Sequence, residues 1–332
     1  MPVSINRREF MQSGGALAAL SAFGVATDAE AQAIDTLKIV TGFAAGGTSD
    51  TTCRRLGEKL RGTYAKNTVV ENRTGAGGQI VIQSLKSAAP DGTTLMQTPM
   101  SMLGIYPHIY KKLPYDPIAD VMPVSLAAVF DFALAVGPAV PASVTNINQF
   151  IAWCKANPSG ANFGSPAAGS VPHFIGALLS RATGVELKHI PYRGTQPAII
   201  DMLGGSISSV SGPVGEFSQH VIGGKIRLLA TSGATRSKFA PTIATYAEQG
   251  FKELTLNEWF GLYTVAKTPT DIVQRMNAAC REAIASKEVV DGLAAFGLEA
   301  QSSTPAELAA MLKVDTDRWG PLVKAIGFTA DA

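Results

Sequence analysis

The sequence predicts an α/β protein built as two lobes. Three observations carry this expectation. Short apolar runs alternate with amphipathic helical patterns in two successive series. Glycine- and hydroxyl-rich loops follow the runs at the points where helices begin. Two long apolar segments, 121–136 and 254–265, stand where the chain would cross from the first series to the second and back. The second lobe is thereby inserted into the first, and the expected ligand site is the cleft between them.

The elements follow in order. Residues 37–41 read as a strand and 48 to about 66 as a helix. Residues 68–72 form the next strand. Gly75-Ala76-Gly77-Gly78 opens a helix to about Ala88, and 94–97 is a third strand. This βαβαβ order implies parallel strands with right-handed crossovers. The second series begins with a helix at 147–156, a strand at 161–164 and a helix at 170–182. A strand at 186–190, a helix at 197–203 and a strand at 206–211 continue it, and the unit repeats over 214–222 and 226–231. The C-terminal tail is helical. Thr268-Pro269-Thr270-Asp271 offers a cap, a proline at the first helical position and an acid behind it. Thr304-Pro305-Ala306-Glu307 is a capping box.

The N-terminus carries a twin-arginine pattern, Arg7-Arg8, then a mildly apolar small-residue stretch and an A-x-A cleavage site, Ala31-Gln32-Ala33. Residues 1–33 are therefore expected to be a twin-arginine signal peptide that directs the folded protein to the periplasm. The later chain has no run of about 18 apolar residues. The expected domains are 34–130 with 255–332 as lobe 1, and 131–254 as lobe 2.

Composition excludes several classes. Hydrophobic residues make up 46% and charged residues 16%, enough to bury real cores. The net charge is +2 with no basic block, so a nucleic-acid partner is not expected. The four histidines are scattered, and no metal or cofactor is expected. Three cysteines, Cys53, Cys154 and Cys280, lie in helical patterns without a C-x-x-C, as buried thiols would.

The loop Gly42-Phe43-Ala44-Ala45-Gly46-Gly47-Thr48-Ser49-Asp50 joins a strand to a helix. Its bare backbone N–H groups, helix N-terminus and hydroxyls suit a carboxylate or phosphate. A tight turn with a capping threonine would use the same residues. No G-K-[ST] follows, so it is not a Walker loop, and G-x-G-x-x-G is absent. Similar loops end other strands: Gly77 lies in the second, Thr98 in the third, and Ser165 to Ser170 in the second lobe. In parallel sheets such ends face the binding crevice. Ser165 and His173 raise the question of a hydrolase. However, Gly164-Ser165-Pro166 is not a nucleophile elbow, and no acid is placed to orient the histidine.

Taken in order, these stretches resemble the periplasmic receptors of tripartite tricarboxylate transporters, the Bug receptors. The resemblance spans nearly the whole chain after residue 33. It rests on Gly46-Gly47-Thr48-Ser49-Asp50, Val70-Glu71-Asn72-Arg73-Thr74-Gly75-Ala76-Gly77-Gly78 and Ala89-Pro90-Asp91-Gly92-Thr93-Thr94-Leu95. It continues through Tyr110-Lys111-Lys112-Leu113-Pro114-Tyr115-Asp116-Pro117, Asn162-Phe163-Gly164-Ser165, His189-Ile190-Pro191-Tyr192-Arg193-Gly194, Asp201-Met202-Leu203-Gly204-Gly205 and Trp259-Phe260-Gly261-Leu262.

The resemblance implies two Rossmann-like lobes of periplasmic binding protein type, type II-like. These would close on a small organic carboxylate and deliver it to a two-component membrane permease. Such a receptor is not an enzyme, and this one is expected to act as a monomer. An exported enzyme using the same cleft is the alternative. The ligand loops implied are Phe43, Ala45, Gly46, Gly47 and Thr48 in lobe 1, and Ser165, Ala168, Gly169, Ser170 and His173 in lobe 2. Asp50 is expected at the helix start and not against an anion.

There are departures from the family pattern. Ala44-Ala45 replaces prolines, and Arg193 stands where lysine is usual. Ser211-Gly212-Pro213 replaces the aspartate of amino-acid-binding relatives, which disfavours an amino acid. The far side of the cleft is expected at 100–103, 130–132 and 213–214, largely apolar with few charges. Arg193 is the only partner in sight for a second carboxylate. These stretches favour a monocarboxylate with an apolar or aromatic body over citrate-like polyacids.

Overall fold

The computed structural model describes residues 34–330; the expected signal peptide lies outside the described residues. The chain opens with β1 (Ile34–Thr41), α1 (Thr48–Leu60) and β2 (Ala65–Asn72). The helix stops six residues earlier than the pattern suggested. Gly62, at φ +86°, reverses the chain just past its end, a conformation that costs glycine little. After Gly75 a 3-10 turn leads into α2 (Gln79–Leu85), then β3 (Thr94–Pro99), and the short α3 (Ser101–Gly104) and α4 (Tyr106–Ile109). Strand β1 pairs in parallel with both β2 and β3, the arrangement implied by the βαβαβ order.

The sixteen-residue β4 (Val121–Val136) follows. Next come α5 (Ile147–Ala156), β5 (Asn162–Ser165), α6 (Val171–Thr183), β6 (Lys188–Pro191), α7 (Thr195–Leu203) and β7 (Ser209–Pro213). A 3-10 turn over Val214–Phe217, the short α8 (Ser218–Ile222) and β8 (Arg227–Thr231) lead to β9 (Asn257–Val265). The chain ends in α9 (Thr270–Ala285), α10 (Lys287–Ala294), the two-residue β10 (Glu299–Ala300) and α11 (Pro305–Ile326).

The strands join as one path, β2-β1-β3-β9-β4-β7-β5-β6, with β8 and β10 also on β4. The centre of that path is β4. Its first part, Val121 to Asp131, runs antiparallel to β9, and its last part, Phe132 to Val136, runs antiparallel to β7 and β8. Each half of the sheet is covered by helices, which explains the near-continuous apolar run of β4: most of its side chains are buried on both faces.

Two caps were read from the sequence, with different outcomes. At α11 the Thr304 side chain accepts from the Glu307 N–H, and Glu307 returns the bond, a complete capping box. At α9 the cap position falls on Pro269, one residue later than expected, and the Thr268 hydroxyl donates instead to the Val265 carbonyl. All three cysteines are buried free thiols.

Candidate functional site

The loops that end β1, β3, β5, β6 and β7 converge on one pocket. Phe43, Ala44, Gly47, Thr48 and Ser49 line it from the loop after β1, and Pro99, Ser101 and Tyr106 from the region after β3. Pro166, Ser170 and Pro172 come from the loop after β5, Gly194, Thr195 and Gln196 from the start of α7, and Pro213 and Glu216 from the end of β7. The floor is β4 and β9, through Phe130, Phe132, Glu258 and Phe260. The rings of Phe130 and Phe260 lie 4.4 Å apart between centroids, and those of Phe130 and Phe132 5.5 Å apart.

The first loop contains what its sequence advertised: a helix N-terminus with free donors. Those donors already hold a carboxylate of the same chain. Glu216 Oε1 accepts from the Thr48 backbone N–H at 3.0 Å and from the Thr48 hydroxyl at 2.8 Å. Its Oε2 accepts from Gln196 Nε2 at 3.1 Å. A Cβ added to Gly47 would stand 3.3 Å from Glu216 Oε1, so the bare glycine leaves room for this carboxylate. Burial pushes the Glu216 carboxyl up from its ordinary value, and the bonds from Thr48, Gln196 and Thr195 work against that rise.

A second carboxylate repeats the pattern on the floor. Glu258 Oε1 accepts from the Ser101 backbone N–H at 2.8 Å and, more closely, from the Ser101 hydroxyl. Burial lifts its pKa to about 7; the Ser101 bonds oppose the lift, and the Asp315 charge adds to it. Among the described residues no lysine or arginine lines the pocket. The expectation of an apolar far wall with few charges therefore needs correcting. Phe130, Phe132 and Pro213 do line the pocket, but so do two buried acids. Met100, Met102 and Leu103 turn into the core, leaving Ser101 at the cavity.

Of the residues expected from the sequence, Phe43, Gly47, Thr48 and Ser170 line the pocket. Ala45 and Gly46 are exposed on the same loop, where the Gly46 N–H donates to Asp50 at 2.9 Å. Asp50 also pairs with Arg54 at 2.9 Å, as a helix-start acid. Burial raises its pKa, but Arg54, Gly46 and Asn72 outweigh that and hold the carboxyl below its usual value. The Gly77 carbonyl accepts from the Tyr106 hydroxyl, and the Thr98 hydroxyl is buried against Pro99 and Met102. Arg193 is exposed, and its backbone carbonyl accepts from the Ala44 N–H at 3.2 Å, joining the two loops.

Ser165, Gly169 and His173 belong to a packed unit beside the pocket, and Ala168 is half-buried on the same loop without lining the pocket. Ser165 Oγ lies 2.7 Å from His189 Nε2, and His173 Nδ1 accepts from the Gly169 N–H at 3.0 Å. The two imidazoles stack with centroids 3.9 Å apart, flanked by Phe163, Phe174 and Phe328. Burial lowers the pKa of His173 to about 4; burial and then the neighbouring His173 lower that of His189 to about 3. Both rings are neutral at neutral pH.

Sequence reasoning missed Glu216 and Glu258. The rule that strand ends face the crevice applies to Glu216, three residues past β7. For Glu258 the available signal was a single acid set against the apolar run Trp259-Phe260-Gly261-Leu262.

Residues 52–328 match the model of the tripartite tricarboxylate transporter family receptor. The chain belongs to that family. BugT of Bordetella pertussis is similar to this receptor, with 30% identity over 88% of this chain and 89% of BugT. MatC of Rhodopseudomonas palustris, solved with bound malate, shares 26% identity at a TM-score of 0.81, over 87% of this chain and 99% of MatC. Another R. palustris structure, with adipate, also shares 26%, at a TM-score of 0.84 over 90% of this chain and 99% of that one. The family is one of receptors, and BugD, a periplasmic binding protein, shares 27% identity with this chain at a TM-score of 0.84, over 90% of this chain and 99% of BugD. Among the described residues of this receptor no helix is long and apolar enough to cross a membrane.

Proposed function

We propose that this receptor captures a small organic carboxylate in the cleft and delivers it to a two-component membrane permease. The observation that carries the reading is the convergence of five strand-end loops on one pocket, where the Thr48 N–H and hydroxyl, here bonded to the Glu216 side chain, have the geometry that holds a carboxylate at a helix N-terminus. The malate and adipate bound by relatives are of the same class. In this reading residues 34–130 and 255–332 form one lobe and 131–254 the other, with the ligand between them. Phe43, Gly47, Thr48 and Ser170 touch the ligand. The packed Ser165–His189 unit, with Gly169 and His173, fixes the loop that bears Ser170. The chain acts as a monomer, exported by the twin-arginine signal at residues 1–33.

Mass spectrometry of small molecules released from denatured receptor, with a thermal-shift panel of mono-, di- and tricarboxylates, tests the reading. A bound ligand at a hundredfold excess over its dissociation constant stabilises by about 2.7 kcal/mol, a readily measured shift. A panel in which no carboxylate raises the melting temperature would defeat it.

A further inference from the structure

The two acids in the cleft are an unexpected lining for an anion receptor. Glu216 and Glu258 are each more than nine-tenths buried, at 6% and 3% exposure, in one apolar cavity. Their hydrogen-bond partners are neutral: Thr48 and Gln196 for Glu216, and Ser101 for Glu258. Among the described residues no cationic side chain lines the cavity. A ligand that is only an anion would bring a third carboxyl group into an enclosure where burial already disfavours the ionised form of the first two. A positively charged group in the cavity would favour the ionised form of an acid it approaches.

The rest of the wall fits such a group. Phe130 and Phe260 pack at 4.4 Å between centroids with their rings tilted 50° to each other, Phe132 meets Phe130 edge-on at 5.5 Å, and Phe43 and Tyr106 also line the wall. Aromatic faces beside carboxylates attract ammonium groups through the ring quadrupole.

We propose that the cleft takes a carboxylate that also bears a cationic nitrogen, with the nitrogen held by Glu258, Glu216 and the phenylalanine rings. This assignment rests on the carboxylate-receptor reading and narrows its ligand class. The ligand's own carboxylate then lies toward the second-lobe side. The thirteen-residue α6 and the nine-residue α7 both begin there, at Ser170 and Gly194, without a side-chain cap. The sequence expectation against an amino acid, drawn from the missing aspartate near Ser211, is answered by acids on other elements.

Titration calorimetry with two isosteric pairs tests the assignment: glycine betaine against 3,3-dimethylbutanoate, and L-phenylalanine against 3-phenylpropanoate, with malate and adipate alongside. At least one nitrogen-bearing member is expected to bind about tenfold or more tightly than its nitrogen-free partner, the scale of a charge-assisted contact. Glu258→Gln, which keeps the shape and can still accept from Ser101, is expected to erase that margin from both sides: the nitrogen-bearing member binds more weakly, and the nitrogen-free acid binds more tightly as one negative charge leaves the cavity. A melting curve confirms that the variant folds. The assignment is overturned if nitrogen-free acids bind as well as their partners, or if neither nitrogen-bearing compound binds. In either case, binding of malate, adipate or another nitrogen-free acid leaves the carboxylate-receptor reading standing. Failure of every acid, with or without nitrogen, removes both.

Discussion

Glu216 Oε1 bonds both the backbone nitrogen and the hydroxyl of Thr48, 168 residues earlier in the chain. The first helix N-terminus is thus occupied by a side chain from the far end of β7, and two distant parts of the fold are fastened at the cleft. Thr48→Ala keeps the backbone donor and deletes the hydroxyl. A lost hydrogen bond to a charged, buried acceptor is worth about 1.5–3 kcal/mol. The urea midpoint should fall accordingly with an unchanged slope. An unaltered midpoint would show that the carboxylate does not depend on this hydroxyl.

The stacked pair His173 and His189 makes the fold acid-sensitive. Both pKa values are lowered in the folded state, to about 4 and about 3, against an ordinary value of 6.5. The unfolded chain therefore takes up protons that the folded chain refuses. Stability from this pair is complete above about pH 6.5, begins to fall below that, and goes on falling until the folded-state values are reached. Melting temperature should drop across pH 6 to 4. His173→Phe, which preserves an aromatic ring in the stack, should flatten part of that drop, and an identical profile in the variant would place the sensitivity elsewhere.

Gly215 precedes Glu216 and allows no side chain. A Cβ there would stand 1.8 Å from the carbonyl carbon and oxygen of Phe296, in the turn after α10. Gly215→Ala must move backbone on one side or the other, and overpacking of this kind costs about 1–3 kcal/mol or more. The expected outcome is a lower melting temperature together with weaker ligand binding, since Glu216 would shift with its neighbour. A variant of full stability and affinity would contradict the close approach.

Thr304→Ala removes the side-chain half of the capping box at α11. The cost of losing such a cap is typically about 1 kcal/mol. Ligand affinity should not change, because this helix start contributes nothing to the cleft lining. Calorimetry beside denaturant unfolding separates the two effects.

The alternation of strands and helices was legible because each element carries its own period, and β4 because a sixteen-residue apolar run exceeds an ordinary strand. The end of α1 was not, although Gly62 marked it, because the helical period ran on past the turn. At the site, the loops at strand ends were legible from glycine and hydroxyl content, which is local chemistry. The partners of those loops were not. Thr48 meets Glu216 across 168 positions and Ser101 meets Glu258 across 157, and neither pairing leaves a trace in the flanking residues. His173 looked like a ligand contact for the same reason: its position after a small-residue loop says nothing of the imidazole stacked against it.

The unbroken course of β4 bears on how such a receptor could open. Its pairing with β9 gives way to pairing with β7 and β8 within a single extended segment, with irregular register between Pro123 and Ser125, between Leu126 and Ala128, and between Leu134 and Ala135. There is no slack linker at this point for a free swing. In the proposed two-lobe reading, opening the cleft twists this hydrogen-bonded ribbon, and the register shifts are the places where its pairing is already interrupted. The receptor would then behave as a torsion spring, returning to its resting shape once cargo leaves. For the same reason neither half could be excised cleanly, since any cut through β4 strips one half of a central strand and leaves raw sheet edges to aggregate.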